Sequence, residues 1–241
     1  MSAAIRLDAP RPLREVAATA GAAARVARWL LASPPWPGFP EPFAGQHARR
    51  AALAAIAAHF EPDAIVETGT FLGLTTGALA TAGVPVYSAE IQPCWFHLAR
   101  LRVRRARNVT LLCGDSVDAI AWVHERVRPQ RPLAYLDAHW EERLPLRDEV
   151  AALLAGWPDT VIVIDDCRVP DDAGYGYDTY GGVAIEERLI GLPPGVLVAY
   201  PAAGARAEGG ARRGTLYAAS GPRAQAALAS AARAGLVRTP G

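Results

Sequence analysis

Ile65-Val-Glu-Thr-Gly-Thr-Phe-Leu-Gly-Leu-Thr75 is the stretch on which the reading of the fold turns. An apolar strand runs into a glycine turn, and the turn opens a helix. Gly69 and Gly73 lack Cβ, so the backbone there can bend tightly and let a ligand come close. The first turn of the following helix brings N–H groups that have no partner inside the helix. The spacing is not that of a dinucleotide-binding turn. G-x-G-x-x-G would need glycine where Glu67 stands. A carboxylate at that point repels a pyrophosphate and suits a ligand with a cationic amine.

Outward from this stretch the chain alternates regularly. Apolar strands are expected over 64–68, 86–90, 109–113, 133–137 and 161–165, separated by helices over 72–82, 94–107, 116–127 and 146–156. Helices of that length between strands imply right-handed crossovers and a parallel sheet. After Gly182 come a helix and two further strands, Val196–Tyr200 and Thr215–Ala219, joined by a Gly/Ala/Arg-rich turn that reads as a hairpin. The expected class is therefore α/β: a Rossmann-like, doubly wound, mostly parallel seven-stranded sheet with a C-terminal antiparallel hairpin and an N-terminal helical extension. In that extension Leu13, Val16, Val26, Trp29 and Leu30 trace an amphipathic helix over 12–32. The proline-rich run from Pro34 to Pro42 then forbids regular structure. It is either a stiff linker or a lid whose Trp36 and Phe39 cover a ligand. The division follows as 1–43, helix and lid or linker, and 44–241, a ligand-binding domain. Helix resumes near Ala44, with Leu53, Ile56 and Phe60 on one face.

With 241 residues, 51% of them hydrophobic, the chain can bury one substantial core. A formal charge of +1 gives no general attraction to nucleic acid or to membranes, which leaves a small-molecule substrate as the expected partner. No apolar run is long enough to span a bilayer, and Arg6, Arg11, Arg14, Arg25 and Arg28 interrupt any signal-peptide core. Cys94, Cys113 and Cys167 form no C-x-x-C, so reduced thiols in a cytoplasmic protein are expected. The apolar N-terminal helix could serve a homodimer.

In an open parallel sheet, ligands bind at the carboxyl ends of the strands. Those ends read Glu67, Glu90, Asp115, Asp137 and Asp165-Asp166, every one acidic. Glu90 follows the glycine turn by about twenty residues, the offset at which an acid meets ribose hydroxyls. Asp115, followed by Ser116, can accept from an adenine amino group or simply cap the next helix.

This arrangement resembles the class I S-adenosylmethionine-dependent methyltransferases, over about residues 44–220. Within them it is most similar to metal-dependent O-methyltransferases such as catechol O-methyltransferase and the sugar O-methyltransferases of macrolide and aminocoumarin biosynthesis. The matching text is Val86-Tyr-Ser-Ala-Glu-Ile-Gln-Pro93, Val109-Thr-Leu-Leu-Cys-Gly-Asp-Ser116, Tyr135-Leu-Asp-Ala-His-Trp140 and Val163-Ile-Asp-Asp166. S-adenosylmethionine, with an α-amino group and a sulfonium, is a cationic ligand of the kind Glu67 suits. The resemblance implies cofactor-binding residues Glu67, Gly69, Thr70, Gly73, Thr75, Glu90, Asp115, Ser116 and Asp137. Among these, Glu67, Gly69 and Thr70 line the methionine part, Glu90 the ribose, and Asp115 and Ser116 the adenine. It also implies Mg²⁺, or Mn²⁺ in its place, on Asp137, Asp165 and Asp166. A hard cation would relieve the repulsion among three such carboxylates. The alternative is that Asp165 or Asp166 caps a helix or pairs with Arg168.

Methyl transfer from a sulfonium needs an aligned nucleophile, a depressed nucleophile pKa and a base. Catechol-type enzymes use a lysine after the fourth strand, but all 25 residues counted as Lys+Arg here are arginine. His139, two residues beyond Asp137, is the candidate base, and these two form the expected catalytic pair. His139 could instead stack on adenine or pack. The loop Cys167–Gly182 offers Tyr175, Tyr177 and Tyr180 as flat surface for a sugar or aromatic ring, with Asp171, Asp172 and Asp178 for hydroxyls, unless the tyrosines merely pack on the body. Arg143 and Arg147 could orient an anionic group or lie bland on a helix surface. Beside cation-dependent O-methylation stand a metal-independent methyltransferase and a non-catalytic binding protein that keeps the fold.

Overall fold

The computed structural model describes residues 37, 39–138 and 144–240, with positions 20, 21, 24 and 28. The helix expected over 12–32 lies almost wholly outside the described residues, as does Trp36. Seven α-helices are described: α1 His47–Phe60, α2 Leu74–Leu79, α3 Pro93–Val103, α4 Ser116–Trp122, α5 Leu146–Gly156, α6 Glu187–Ile190 and α7 Pro222–Arg233. The strands are β1 Ala64–Thr68, β2 Val86–Glu90, β3 Val109–Cys113, β4 Pro132–Leu136, β5 Thr160–Asp165, β6 Thr179–Tyr180, β7 Val183–Ala184, β8 Leu197–Pro201, β9 Thr215–Ser220 and β10 Val237–Arg238.

Eight of these strands form one sheet in the order β10-β8-β9-β5-β4-β1-β2-β3, and β6 pairs with β7 in a small flap. The five strands β1 to β5 pair parallel, as expected from the helices between them. β8 and β9 form the antiparallel hairpin, and β9 lies antiparallel to β5. The sheet has eight strands and not seven, because β10 adds to β8 through Val237 and Arg238. Two residues are too few to show a period in the sequence.

The strands bury both faces, and alternate residues divide between them. Ile65, Leu133, Val161 and Val163 meet Leu53, Ile56 and Phe60 of α1 and Ala224, Ala227 and Leu228 of α7. Val66, Ala134, Leu136, Ile162 and Ile164 point the other way, into Ala119 and Ile120 of α4 and Val150 and Leu153 of α5. Phe96, Ala99 and Val103 of α3 close against Leu111 of β3. Among the described residues no helix is long and apolar enough to cross a membrane.

The two glycines of the deciding turn have different duties. At Gly69 (φ +81°) a Cβ would stand 2.2 Å from the carbonyl oxygen of Asp137, so β1 and β4 can finish side by side only without one. Gly73 (φ +70°) precedes α2, and its missing Cβ makes room for Ala99 of α3 at 3.2 Å. Gly83 has similar φ, +79°, but open space around it. Gly69→Ala should therefore incur both the left-handed strain, ~1–2 kcal/mol, and the clash with the Asp137 carbonyl, while Gly83→Ala incurs only the former. Urea unfolding of the two variants against the parent should rank them in that order; equal losses would contradict the close approach.

Candidate active site

At the carboxyl ends of the parallel strands lies a cavity of about 630 Å³, of a size that holds a nucleoside-sized ligand. Its walls come from the β1–α2 turn, the ends of β2 to β5, the 37–44 segment before α1 and the loop before β9. Pro37 and Phe39 are part of that wall. The segment is held from the far end of the chain. Ala211 N–H donates to the Ala44 carbonyl at 2.9 Å, and a Cβ on Gly210 would meet that oxygen at 2.0 Å.

Glu90 ends β2 at the cavity wall. Its carboxylate accepts from Phe71 N–H at 2.7 Å and Gln92 N–H at 2.8 Å, which fixes it across the mouth of the glycine turn. Burial raises its pKa, against those backbone donors. Beside it Ile91 is 59% exposed, a large apolar side chain lining the same cavity. Asp115 does both things that its position allows. It caps α4 by accepting from Val117 N–H at 3.0 Å and also lines the cavity with Ser116.

Glu67 lies deeper. It is 1% exposed and does not line the cavity; its carboxylate accepts from Thr76 and Ser88 hydroxyls, each at 2.5 Å. Ser88 in turn meets Thr70 Oγ1 at 2.6 Å, and Thr70 lines the cavity. β1 side chains alternate, and Glu67, expected to line the methionine part of the cofactor, is turned toward Thr76 of α2 and Ser88. Burial, above all, pushes its carboxyl up to about 7, with the Ser88 and Thr76 hydrogen bonds opposing and the charge of Glu90 adding to the rise. Gly73 also stands outside the lining, as a packing glycine. The N–H groups of Gly69 and Thr70 are not open to a ligand, since both donate to the Ala89 carbonyl, at 3.0 and 3.1 Å.

At the other end of the cavity stand Asp137, Asp165, Asp166 and Asp178. Asp165 Oδ2 accepts from Arg49 Nη1 at 2.5 Å and from the Tyr135 hydroxyl at 2.8 Å. Arg49 is 1% exposed on α1. Burial opposes its charge, yet Asp165 leads the neighbours that hold the guanidinium protonated and raise its pKa. Asp166 (φ +53°) is paired with Arg213 Nε, and Asp178 with Arg213 Nη2. Neither aspartate pairs with Arg168, which bridges to Glu186 at 3.4 Å. As arranged, Asp137, Asp165 and Asp166 do not fit a divalent cation. Two of the three are bound to guanidiniums, and among the described residues no three His, Cys, Asp or Glu side chains are grouped to hold a metal.

No protein-family model and no curated protein sequence matches the chain. Solved structures do. The O-methyltransferase from Bacillus cereus, in complex with SAH (S-adenosylhomocysteine), superposes with a TM-score of 0.54 at 18% identity, over 88% of this chain and 92% of that one. TomG from Streptomyces achromogenes, an O-methyltransferase involved in tomaymycin synthesis and bound to SAM, gives 0.54 at 17% identity over the same shares. The fold is that of these O-methyltransferases.

In this fold Gly69, Thr70, Thr75, Glu90, Asp115, Ser116, Asp137, Asp165 and Asp166 line one cavity, the acids from the strand ends and the others from the set that the resemblance implied. His139 and Arg143 lie outside the described residues. Arg147 lies against Gly191, away from the cavity. Of the loop tyrosines, Tyr175 is buried and donates to the Ala203 carbonyl at 2.8 Å, Tyr177 lies beneath Arg168, and Tyr180 belongs to the flap; none lines the cavity. Asp172 accepts from Gly174 and Ala205 N–H groups and holds the loop. Arg49 and Arg213 escaped the sequence reading, the first because it sits in an Ala-rich helix beside Arg50, the second because it sits in a glycine-rich hairpin turn.

The raised Glu67 carboxyl has a stability consequence of known sign. Its contribution is fully present below the unfolded value of about 4.5 and is lost as pH rises through about 7. Glu67→Gln should match the parent near pH 4.5 and become the more stable of the two by up to ~3 kcal/mol above pH 7.5. Denaturant unfolding of both proteins across pH 4.5–8.5 measures this; a gap independent of pH would contradict the assignment.

Proposed function

We propose that the chain is an S-adenosylmethionine-dependent O-methyltransferase for a small hydroxylated molecule. The observation that carries the reading is Glu90, fixed by two backbone N–H groups at the end of β2 and facing a cavity that also holds Asp115, Ser116 and the bare side of Ile91. Glu90 retains lone pairs for ribose hydroxyls, Ile91 offers an apolar wall to a purine, and Ser116 and Asp115 offer polar contacts at its edge. The acidic lining suits a cationic ligand, and the relatives in this fold named above are O-methyltransferases, one bound to SAH and one to SAM.

Bound S-adenosylmethionine would supply a methyl group on sulfur, so that a C–O bond forms as the C–S bond breaks and the acceptor's proton must leave. The chain's own part is to align the acceptor oxygen, exclude water and accept that proton. Pro37, Phe39 and Phe43 give the acceptor side of the cavity an apolar cover. His139 stays the proposed base: it follows Asp137 and Ala138, both of which line the cavity. A neutral imidazole takes a proton near pH 7. The divalent cation implied by the resemblance is given no step, because guanidiniums already hold two of the three aspartates that would bind it.

Calorimetry should find S-adenosylhomocysteine binding in the micromolar range and no NADH binding. Glu90→Gln should weaken the former at least tenfold, or ~1.4 kcal/mol. Binding of NADH alone would overturn the reading. His139→Ala should lower methyl transfer at least a hundredfold, about the lower bound of general-base effects, with cofactor affinity within threefold of the parent. A matching loss of cofactor affinity would move His139 to the adenine.

A further inference from the structure

The pairing of the strand-end aspartates with arginine has a further meaning, which rests on the cavity being a methyltransferase site. Both oxygens of Asp165 are already engaged: Oδ2 accepts from Arg49 and Tyr135, and Oδ1 accepts from the Asp166 N–H at 2.7 Å. Arg49 has no water to retreat into, since it is fully enclosed. The position of Arg213 is built with equal care. Its N–H donates to Gln46 Oε1 at 2.7 Å, and its carbonyl accepts from Gln46 Nε2 at 2.8 Å and from Arg49 Nη2 at 2.6 Å. The next residue, Gly214, passes so near the chain just after β5 that a Cβ would lie 2.0 Å from the Cys167 carbonyl oxygen. The backbone of Arg213 is thus clamped from both sides, and one of the clamps is the arginine that neutralises Asp165.

The side chain of Arg213 is 27% exposed and lines the cavity. Nε and Nη2 are taken by Asp166 and Asp178, and Nη1 remains as the third corner of the fork. We propose that this guanidinium is the resident positive charge of the acceptor end of the cavity: it stands where a divalent cation would sit, donates Nη1–H to the acceptor's oxygen, and makes the protein independent of metal. A hard dication beside a fixed guanidinium would meet like charge, and two of the three carboxylates that would bind it are already neutralised.

The test uses the full-length protein and Mn²⁺ alone, followed by the loss of its free-ion paramagnetic resonance signal, with S-adenosylhomocysteine calorimetry on the same samples. The parent should bind no Mn²⁺ at millimolar concentration, with or without S-adenosylhomocysteine. Arg213→Met and Arg213→Gln remove the guanidinium from Asp166 and Asp178 and should bind Mn²⁺ at least tenfold more tightly than the parent. Stoichiometric Mn²⁺ on the parent would overturn the proposal whether or not the variants fold, and so would folded variants that gain no affinity. Failure of S-adenosylhomocysteine to bind the parent would instead sink the functional reading, leaving the Mn²⁺ comparison to decide the role of Arg213 by itself.

Discussion

Asp165 ends a strand whose six residues are all buried, and the guanidinium of Arg49 meets it there. Arg49 is 116 residues away in sequence, on α1, and reaches across the sheet's edge to Asp165, to the Tyr135 hydroxyl and to the Arg213 carbonyl. Taking two charges out of water is expensive, and their mutual attraction offsets the expense only when the remaining hydrogen-bonding groups are also met. Here most of them are. Gln46 braces Arg49 Nη2, and Asp166 N–H fills the second oxygen of Asp165. The pair therefore does more to specify than to stabilise: it fixes where α1 docks, and with α1 the wall that precedes it.

Two other strand-end acids show how one pattern yields different chemistry at different depths. Glu67 and Glu90 end neighbouring strands, yet Glu90 faces the cavity while Glu67 faces hydroxyls in the protein interior. Burial raises the pKa of both. Only Glu90 has backbone N–H donors and an open side, which is what a ligand-binding carboxylate requires.

Much of this was legible in the chain. The parallel strands announced themselves as unbroken apolar runs, because a strand covered on both faces has no polar side to alternate with. Glu90, Asp115, Asp137 and Asp165 followed from the rule that such strands present their carboxyl ends to a ligand. What stayed hidden was the partner of each charge. An arginine in an Ala-rich helix is usually a solvated one, and nothing local distinguishes Arg49, buried, from its neighbour Arg50, exposed. Arg213 sits among glycines that read as a mere turn, although Gly210 and Gly214 mark close approaches that only the assembled backbone reveals. Tyr175 illustrates the opposite error, an aromatic in a glycine-rich loop that serves as an anchor and not as a contact surface.

The tie between Ala211 and Ala44 carries a consequence for how the molecule is made. One wall of the cavity precedes the first strand, and the loop that secures it comes just before the ninth. During synthesis the early wall can meet Thr75 and Tyr135 through Phe43, but its tie to Ala211 waits until that residue has left the ribosome. A nascent chain can therefore pair its first five strands before the last tie closes that wall, so that the cavity is completed late.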